Sequence, residues 1–467
     1  MISSPDTGCD PGSDPDIEDS SRLTAKLHIT RNSTMLDKYV YTPDPNFQYK
    51  LVNTVQGKGF TAYILDVTSQ QWRTAAEVDR PLWQHWLVIV KPDQVQGTTG
   101  MLFISGGSNG RPAPVTADAV FVGLATGTRS IVAELRMVPN QPLTFADDSV
   151  SRKEDAIIAY TWDKFMRTGD ETWPLRFPMT KAAVRAMDVM TTFCAGLETG
   201  KAVVDKFVLI GGSKRGWAAW TTAAVDDRVI AVVPASIDVL NVEESLEHHF
   251  RSYGFWAPAL KDYTDMGIMD WSGTPQFRAL MKIEDPYSYR DRLTIPKFVV
   301  NSTGDQYFLP DSSQFYFPDL KGEKYLRYVP NTRHDLDNSD AYPSMIAFYG
   351  SILTGSPRPK FDWKFEADGS IVVESADRPA EVKLWQATNP AARDFRLDTL
   401  GPAWTSSPLE PASEGKYVGK VEKPPKGWTA YFVEMTYPSP GKFPFKFTTE
   451  VRVIPDILPF PAPGKSR

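Results

Sequence analysis

Cysteine, histidine and long apolar runs are scarce in this sequence, and each scarcity excludes a class of protein. Only two of the 467 residues are cysteine, Cys9 and Cys194, so the chain cannot build a disulfide framework. With five histidines, no His-Glu-x-x-His motif and no Cys/His cluster, the sequence predicts no metal site, and we expect no other cofactor. No stretch approaches the roughly 20 continuous apolar residues of a transmembrane helix, so we expect no membrane span.

Positive charge is not in excess either. The formal net charge is -6, which gives no electrostatic reason to expect nucleic acid as a partner. The composition, 42% hydrophobic and 23% charged, is that of an ordinary globular protein. A chain of 467 residues exceeds what one hydrophobic core usually serves, so we expect two domains.

The first 34 residues are rich in Asp, Ser, Pro and Gly and are predicted to form an unstructured tail. They lack the basic and apolar regions of a signal peptide, although a mature chain from which a signal has been removed would look the same. Cys9 falls in this tail. Cys194 lies in a helical pattern, which predicts a small buried hydrophobe.

Residues 35–355 have the pattern of an α/β domain. Apolar runs such as "HWLVIVKP", "DKFVLIGG" and "IPKFVVNSTGD" alternate with helical segments, among them "SSQFYFPDL". This alternation predicts a mostly parallel sheet with helices on both faces. Residues 241–292 interrupt it with aromatic-rich helical pieces, and we expect this insertion to form a lid over the strand ends.

Residues 360–455 change character. Apolar and polar residues alternate at period two, with turn residues every eight to twelve positions, as in "DWKFEADGSIVVES" and "WTAYFVEMTY". This pattern predicts a C-terminal β-sandwich domain.

A possible nucleophile stands between a strand and a helix of the α/β domain. The segment "GGSKRG", residues 211–216, resembles the Gly-x-Ser-x-Gly elbow of α/β hydrolases, except that the second glycine comes one residue late. Gly211 and Gly212 are expected to remove Cβ atoms that would clash in a tight turn, and Gly216 lets the helix pack closely on the sheet. Ser213 is then either the nucleophile of an α/β-hydrolase-like fold or a plain helix N-cap.

The position of the histidines favours the nucleophile. A triad on this scaffold runs Ser, acid, His along the chain. His334 alone follows a late strand, in the loop "NTRHDLDN", whereas the other four histidines precede the last strands: His28, His85, His248 and His249. We therefore assign His334 as the base.

Two carboxylates compete for the acid. Asp305 follows the strand "IPKFVVNS", with Gly304 opening the turn, and would accept the Nδ1 proton of His334. Asp238, after the preceding strand, is the alternative and ranks second. A third possibility is that Asp305 only caps the next helix.

Oxyanion stabilisation requires two backbone N–H groups. The sequence offers Lys214, directly after the nucleophile, and Gly107 or Ser108 in the glycine-rich loop "ISGGSNGRP". The side chains of Lys214 and Arg215 place positive charge beside the pocket, where they either assist the reaction or remain solvated.

Several aromatic residues of the insertion are candidates for substrate binding. Aromatic residues of an insertion can also form its own core, so both roles stay open. Glu243 and Glu244 are a further, weaker candidate for binding a substrate amine. The predicted substrate-binding residues are His248, Phe250, Tyr253 and Trp256.

Five segments in order resemble the PhoPQ-activated pathogenicity-related family: "VPNQPLTF", "EDAIIAYTWDKFMRTGDETWPLRFPMTKAAVRAMD", "GGSKRGWAAW", "VVPASIDVLN" and "STGDQYF". The resemblance covers roughly residues 35–455. It implies an α/β-hydrolase-like fold with a β-rich C-terminal extension and an exported protein, either periplasmic or secreted. The elbow is also similar to the Gly-x-Ser-x-x-Gly form of glucuronoyl esterases, which supports a nucleophile with the glycine at this offset.

Two hypotheses follow. The first is a serine hydrolase that cleaves an ester or peptide bond in a small-molecule or peptide substrate, with Ser213, Asp305 and His334 as the triad. The second is a catalytically silent hydrolase scaffold that acts as an exported binding or signalling protein, because fold does not fix function. The sequence names neither the substrate nor the oligomeric state.

Overall fold

A computed structural model describes residues 33–464 and shows a large mixed sheet as the centre of the molecule. The sheet has nine strands in the order β1-β2-β3-β5-β4-β8-β9-β10-β11. Its strands are β1 Gln48–Gly57, β2 Phe60–Gln71, β3 Leu82–Pro92, β4 Thr99–Ile104, β5 Val132–Leu135, β8 Lys206–Gly212, β9 Val229–Ala235, β10 Lys297–Ser302 and β11 Lys324–Val329. A separate two-stranded ribbon joins β6 Leu143–Thr144 to β7 Ser151–Arg152.

The strands from β5 onward in this order are parallel, and β1, β2 and β3 add antiparallel pairs at one side. The mostly parallel sheet predicted from the sequence is therefore present. Helices cover both faces, as the alternating burial of β8 requires: Leu209 belongs to one buried apolar cluster and Val208 to another. The helices before the insertion are α1 Met35–Tyr41, α2 Ala119–Thr128, α3 Asp155–Thr168, α4 Arg176–Gly196 and α5 Lys214–Val225.

The predicted insertion is helical and contains no strand. It comprises α6 Val242–Tyr253, α7 Lys261–Asp265, α8 Pro275–Glu284 and the 3-10 turns Pro258–Leu260, Ile268–Trp271 and Pro286–Tyr289. Its apolar face joins the buried cluster that also holds α3, α4 and α5. The predicted helix "SSQFYFPDL" is wrong, because only the 3-10 turn Ser312–Phe315 forms there. The helix that follows β11 is α9 Ala341–Thr354, which ends on Gly355 with a positive φ of 64°.

The C-terminal region consists of two antiparallel sheets. One has the order β12-β13-β17-β16, and the other has β15-β14-β18-β19 with β20 also on β18. The elements are β12 Phe361–Phe365, β13 Ile371–Ser375, β14 Glu381–Asn389, the short helix α10 Leu397–Leu400, β15 Thr405–Pro408, β16 Pro411–Ser413, β17 Lys416–Gly419, β18 Trp428–Tyr437, β19 Phe445–Thr448 and β20 Arg452–Ile454.

The two sheets share a core, since Phe361 of one and Phe447 of the other stack with ring centroids 5.9 Å apart. Phe447 also stacks on Tyr325 of β11 at 4.2 Å, which joins this region to the edge of the main sheet. The whole has the predicted architecture, an α/β-hydrolase-like domain followed by a β-sandwich. Cys194 lies buried in α4, and Cys9 lies outside the described residues.

Candidate active site

Ser213 occupies a strained turn between β8 and α5. Its φ of 55° and ψ of -128° are rare for a residue with a side chain, and such strain concentrates at functional sites. Its N–H donates to the carbonyl of Ala235 on the neighbouring strand at 2.8 Å, which fixes the turn on the sheet. The structure therefore has the strand, sharp turn and helix of a nucleophile elbow at this position.

Two glycines make the turn possible. A Cβ on Gly211 would lie 2.4 Å from the carbonyl oxygen of Arg215, and one on Gly216 would lie 2.8 Å from the carbonyl oxygen of Gly211. The late glycine is thus the partner of Gly211 across the turn. Gly212 does not share this role, contrary to the sequence-based expectation, because a Cβ there would have no atom within 4 Å.

His334 and Asp305 meet in the structure. Asp305 Oδ2 lies 2.7 Å from His334 Nδ1, and Asp305 is 4% exposed. The other carboxylate oxygen accepts the N–H groups of Tyr307 at 2.7 Å and Phe308 at 3.3 Å, so the carboxylate is fixed in position. Gly304 allows this turn, since a Cβ there would lie 2.7 Å from the carbonyl oxygen of Thr332.

The competing acid, Asp238, has other partners. Its two carboxylate oxygens accept the hydroxyl groups of Tyr316 at 2.7 Å and Tyr328 at 2.6 Å. Burial raises the pKa of Asp238 well above its usual value, although the two tyrosine hydrogen bonds oppose the shift. The carboxylate that orients His334 is therefore Asp305.

The three predicted residues follow parallel strands of one sheet. Ser213 follows β8, Asp305 follows β10 and His334 follows β11, so all three lie at the carboxyl edge, where ligands bind in open α/β sheets. Among the described residues no hydrogen bond joins the Ser213 hydroxyl to His334. Catalytic hydrogen bonds commonly tighten only when substrate binds, and the pairing of Ser213 with His334 stays a prediction.

A pocket opens beside Ser213 beneath the insertion. Its wall combines the elbow and the loop after Asp305 with residues of the insertion. The lining residues are Asp155, Trp162, Arg176, Ser213, Lys214, Trp217, Ile237, Val239, Val242, Leu246, Leu260, Tyr263, Met269, Tyr307 and Phe308. The insertion therefore covers the strand ends, as a lid would.

The four predicted substrate-binding residues lie elsewhere in the insertion, outside this lining. His248 contacts Asp311 at 3.1 Å and Phe250 packs on Trp256 with ring centroids 5.1 Å apart. Tyr253 is buried with Ala257 and Leu309. Glu243 forms an ion pair with Arg278 at 3.2 Å on the outer side of the insertion.

Sequence reasoning missed Glu154, which binds both cations of the elbow. Its carboxylate lies 2.9 Å from Lys214 Nζ and 2.7 Å from Arg215 Nη2. Burial alone would raise the pKa of Glu154, but the two cations outweigh it and lower the pKa to about 2. Asp155 adds a second contact to Lys214 at 3.2 Å. The positive charges of Lys214 and Arg215 are thus paired with carboxylates of the protein. The only sequence signal for this pairing was the acidic pair Glu154 and Asp155 at the start of a helix.

The same glutamate reaches the predicted oxyanion loop. Gln141 Nε2 donates to Glu154 at 2.5 Å and to the carbonyl of Gly107 at 3.1 Å. Arg215 Nε donates to the carbonyl of Val138 at 2.6 Å. Gly107 has a φ of 144°, and a Cβ there would lie 3.0 Å from the Met137 side chain. The loop of Gly107 and Ser108 follows β4, the strand next to β8, so it borders the elbow.

The part of the chain that the structure describes contains no group of three or more His, Cys, Asp or Glu side chains arranged to hold a metal ion. Within residues 33–464, no helix is both long enough and apolar enough to cross a membrane.

Comparison with known proteins identifies the family. The model of the PhoPQ-activated pathogenicity-related protein family matches residues 36–396, well over half of the chain. The chain belongs to this family. Autocrine proliferation repressor protein A of Dictyostelium discoideum is 39% identical over 460 aligned residues, which cover 92% of each chain.

Solved structures with similar architecture include two hydrolases. Acetyl xylan esterase 1 from Thermoanaerobacterium sp. JW/SL YS485 gives a TM-score of 0.47 at 15% identity, covering 68% of this family member and 93% of that chain. Pyrococcus horikoshii acylaminoacyl peptidase gives a TM-score of 0.40 at 12% identity, covering 68% of this family member and 51% of that chain.

Proposed function

We propose that this protein is a serine hydrolase that cleaves an ester or peptide bond through Ser213, Asp305 and His334. The observation that carries the proposal is the 2.7 Å contact between His334 Nδ1 and Asp305 Oδ2, at the sheet edge where Ser213 projects from its elbow. This arrangement has a nucleophile, a base and an acid in the chain order of α/β hydrolases.

In the proposed reaction Ser213 Oγ attacks the carbonyl carbon, and His334 Nε2 takes the hydroxyl proton. Asp305 holds the ring and stabilises the imidazolium. The backbone N–H groups of Lys214 and of Gly107 or Ser108 bind the oxyanion. His334 then gives the proton to the leaving group, and water, activated by the same histidine, releases the acyl group from Ser213.

The second candidate is a catalytically silent scaffold that acts as an exported binding or signalling protein. It is favoured by the absence of a Ser213–His334 hydrogen bond among the described residues. The Dictyostelium relative is named a proliferation repressor, which is a signalling role rather than a reaction. Covalent labelling of the serine separates the two candidates.

Labelling with a fluorophosphonate probe tests the first candidate directly. The purified wild-type protein should react with one equivalent of probe at Ser213, as located by peptide mass spectrometry, because an activated serine displaces fluoride from phosphorus. Ser213→Ala should abolish labelling and His334→Ala should slow it by at least about 100-fold. Folded wild-type protein that stays unlabelled, while a known serine hydrolase reacts in the same tube, would exclude the enzyme and leave the binding role.

A further inference from the structure

The pocket beside Ser213 is apolar, although three charged residues belong to its wall. Nine of its lining side chains carry neither a hydroxyl group nor a charge: Trp162, Trp217, Ile237, Val239, Val242, Leu246, Leu260, Met269 and Phe308. Most of them are buried in the core that the insertion shares with α3, α4 and α5. A substrate group that enters this space therefore loses its contact with water and is surrounded by apolar side chains.

Each charge in the wall is already compensated. Arg176 pairs with the buried Glu284 at 3.0 Å, and its guanidinium lies 3.7 Å from the ring centre of Trp217. Lys214 lies against Glu154 and Asp155 at 2.9 and 3.2 Å. Asp155 also accepts the hydroxyl of Tyr263 at 3.1 Å. A charged substrate group would lose its hydration here and would have to compete with these existing ion pairs, which is costly.

The pocket is also small. Its free volume is about 50 Å³, which is room for about four water-sized groups. In the proposed acyl-enzyme the acyl group stays bonded to Ser213 Oγ, so it must occupy space that borders this serine. The leaving group takes its proton from His334 and departs on that side, where the histidine side chain is 20% exposed.

We infer that this apolar pocket is the acyl site and that it takes a short, uncharged acyl group of about two to four carbon atoms. The inference rests on the proposed serine hydrolase. It excludes aminoacyl groups, which carry an ammonium, and dicarboxylic acyl groups, which carry a carboxylate.

A series of p-nitrophenyl esters tests the size and the charge of the acyl group. The chain-length arm uses acetyl, butyryl, hexanoyl and octanoyl esters. The charge arm compares butyryl with the hemisuccinate and with the L-alanyl ester, which are of similar size. We expect kcat/KM to be highest for acetyl or butyryl and at least about tenfold lower for octanoyl and for both charged esters.

Two variants connect the profile to the pocket. Leu246→Ala removes a lining side chain and should move the optimum to hexanoyl or octanoyl. Leu240→Ala is the matched control, since Leu240 is buried two residues before α6 but does not line the pocket. Should both leucine variants fold poorly, Val239→Phe gives an independent result: it fills the pocket and should suppress butyryl hydrolysis more than acetyl hydrolysis.

The outcomes separate the two proposals. An optimum at octanoyl, a preference for either charged ester, labelling at Ser213 without turnover of any ester, or identical profiles for Leu246→Ala and Leu240→Ala would each overturn the acyl-site inference alone. Absence of fluorophosphonate labelling at Ser213 would overturn the serine hydrolase and this inference together.

Discussion

At the scale of single residues, Glu154 and Ser213 share an unusual backbone. Glu154 has φ 50° and ψ -126°, close to the 55° and -128° of Ser213, and each stands directly before a helix. Such conformations cost of order 1–3 kcal/mol per residue and persist only where surrounding contacts impose them. For Glu154 the contacts are Gln141, Lys214 and Arg215, which connect the predicted oxyanion loop to the elbow.

The first prediction at this scale concerns the charge of Glu154. Glu154→Gln keeps the shape but leaves Lys214 and Arg215 with weaker partners, so the elbow and the Gly107 loop should lose their fixed spacing. We expect the rate of fluorophosphonate labelling at Ser213 to fall about tenfold or more, because small displacements of reacting groups raise the activation free energy. Glu422→Gln, on the exposed surface, should label at the wild-type rate.

The pH dependence of stability provides a second readout for the same variant. The pKa of Glu154 is lowered from 4.5 to about 2 in the folded protein, so its ionised form stabilises the fold above pH 4.5, and this contribution disappears as the pH falls toward 2. The urea midpoints of wild type and Glu154→Gln should differ at pH 7, and the difference should shrink below pH 4.5 and approach zero only near pH 2. A constant difference across this range would contradict the assignment.

At the scale of elements, the site depends on how closely α5 approaches β8 and β9. A Cβ on Gly211 would overlap the backbone of Arg215. A Cβ on Gly216 would lie 3.2 Å from the carbonyl oxygen of Ala235. A helix at this distance brings its N-terminus, and with it the N–H of Lys214, to the turn that carries Ser213. The geometry of the elbow therefore results from the packing of α5 on β8 and β9.

Alanine substitutions in the elbow test whether the close approach of α5, rather than the loss of any glycine, determines stability. Gly211→Ala should destabilise the protein by about 1–3 kcal/mol or more, because the added methyl group meets backbone atoms that cannot move independently. Gly212→Ala is the matched control one residue away; it has no positive φ and no atom within 4 Å of the added carbon, so its stability should stay within about 0.5 kcal/mol of wild type. Chemical denaturation of both variants measures the difference. Equal effects would show that the close approach is not what fixes the turn.

At the scale of the whole molecule, a buried charge cluster joins three parts of the chain. Asp311, from the segment between β10 and β11, lies 2.6 Å from Arg393 of the C-terminal region and 3.1 Å from His248 of the insertion. Arg393 also donates to Ser252 of the insertion at 3.0 Å. Burial would raise the pKa of Asp311, but Arg393 and His248 outweigh it and hold the pKa far below its usual range. The insertion and the C-terminal region thus meet on one carboxylate of the α/β domain.

Removing the arginine should uncouple these parts. Arg393→Met leaves Asp311 buried without its main counter-charge, and we expect a loss of about 3–5 kcal/mol in the free energy of unfolding. Arg378→Met, in the same C-terminal region but on the exposed surface, should change it by less than about 0.5 kcal/mol. Urea denaturation followed by tryptophan fluorescence provides the measurement. Equal midpoints for the two variants would contradict a stabilising role of the cluster.

Local features of the sequence determined much of the fold and the position of the elbow. The alternation of apolar runs and helical segments specified the sheet, because strand and helix periodicities are properties of a few neighbouring residues. The glycines at 211 and 216 indicated the elbow, since only a residue without Cβ tolerates such an approach. The order of Ser213, Asp305 and His334 predicted one site, because parallel strands bring successive loops to the same edge.

Tertiary structure alone decided the remaining questions. Whether Asp305 or Asp238 meets His334 depends on two tyrosines that come from later segments and occupy Asp238. Glu154 is 61 residues from Arg215, and Asp311 is 82 residues from Arg393, so no local pattern could pair them. Which residues of the insertion line the pocket also depends on how its helices pack. Charge pairing and packing between distant segments are fixed only when the chain folds, and these contacts define the surroundings of Ser213.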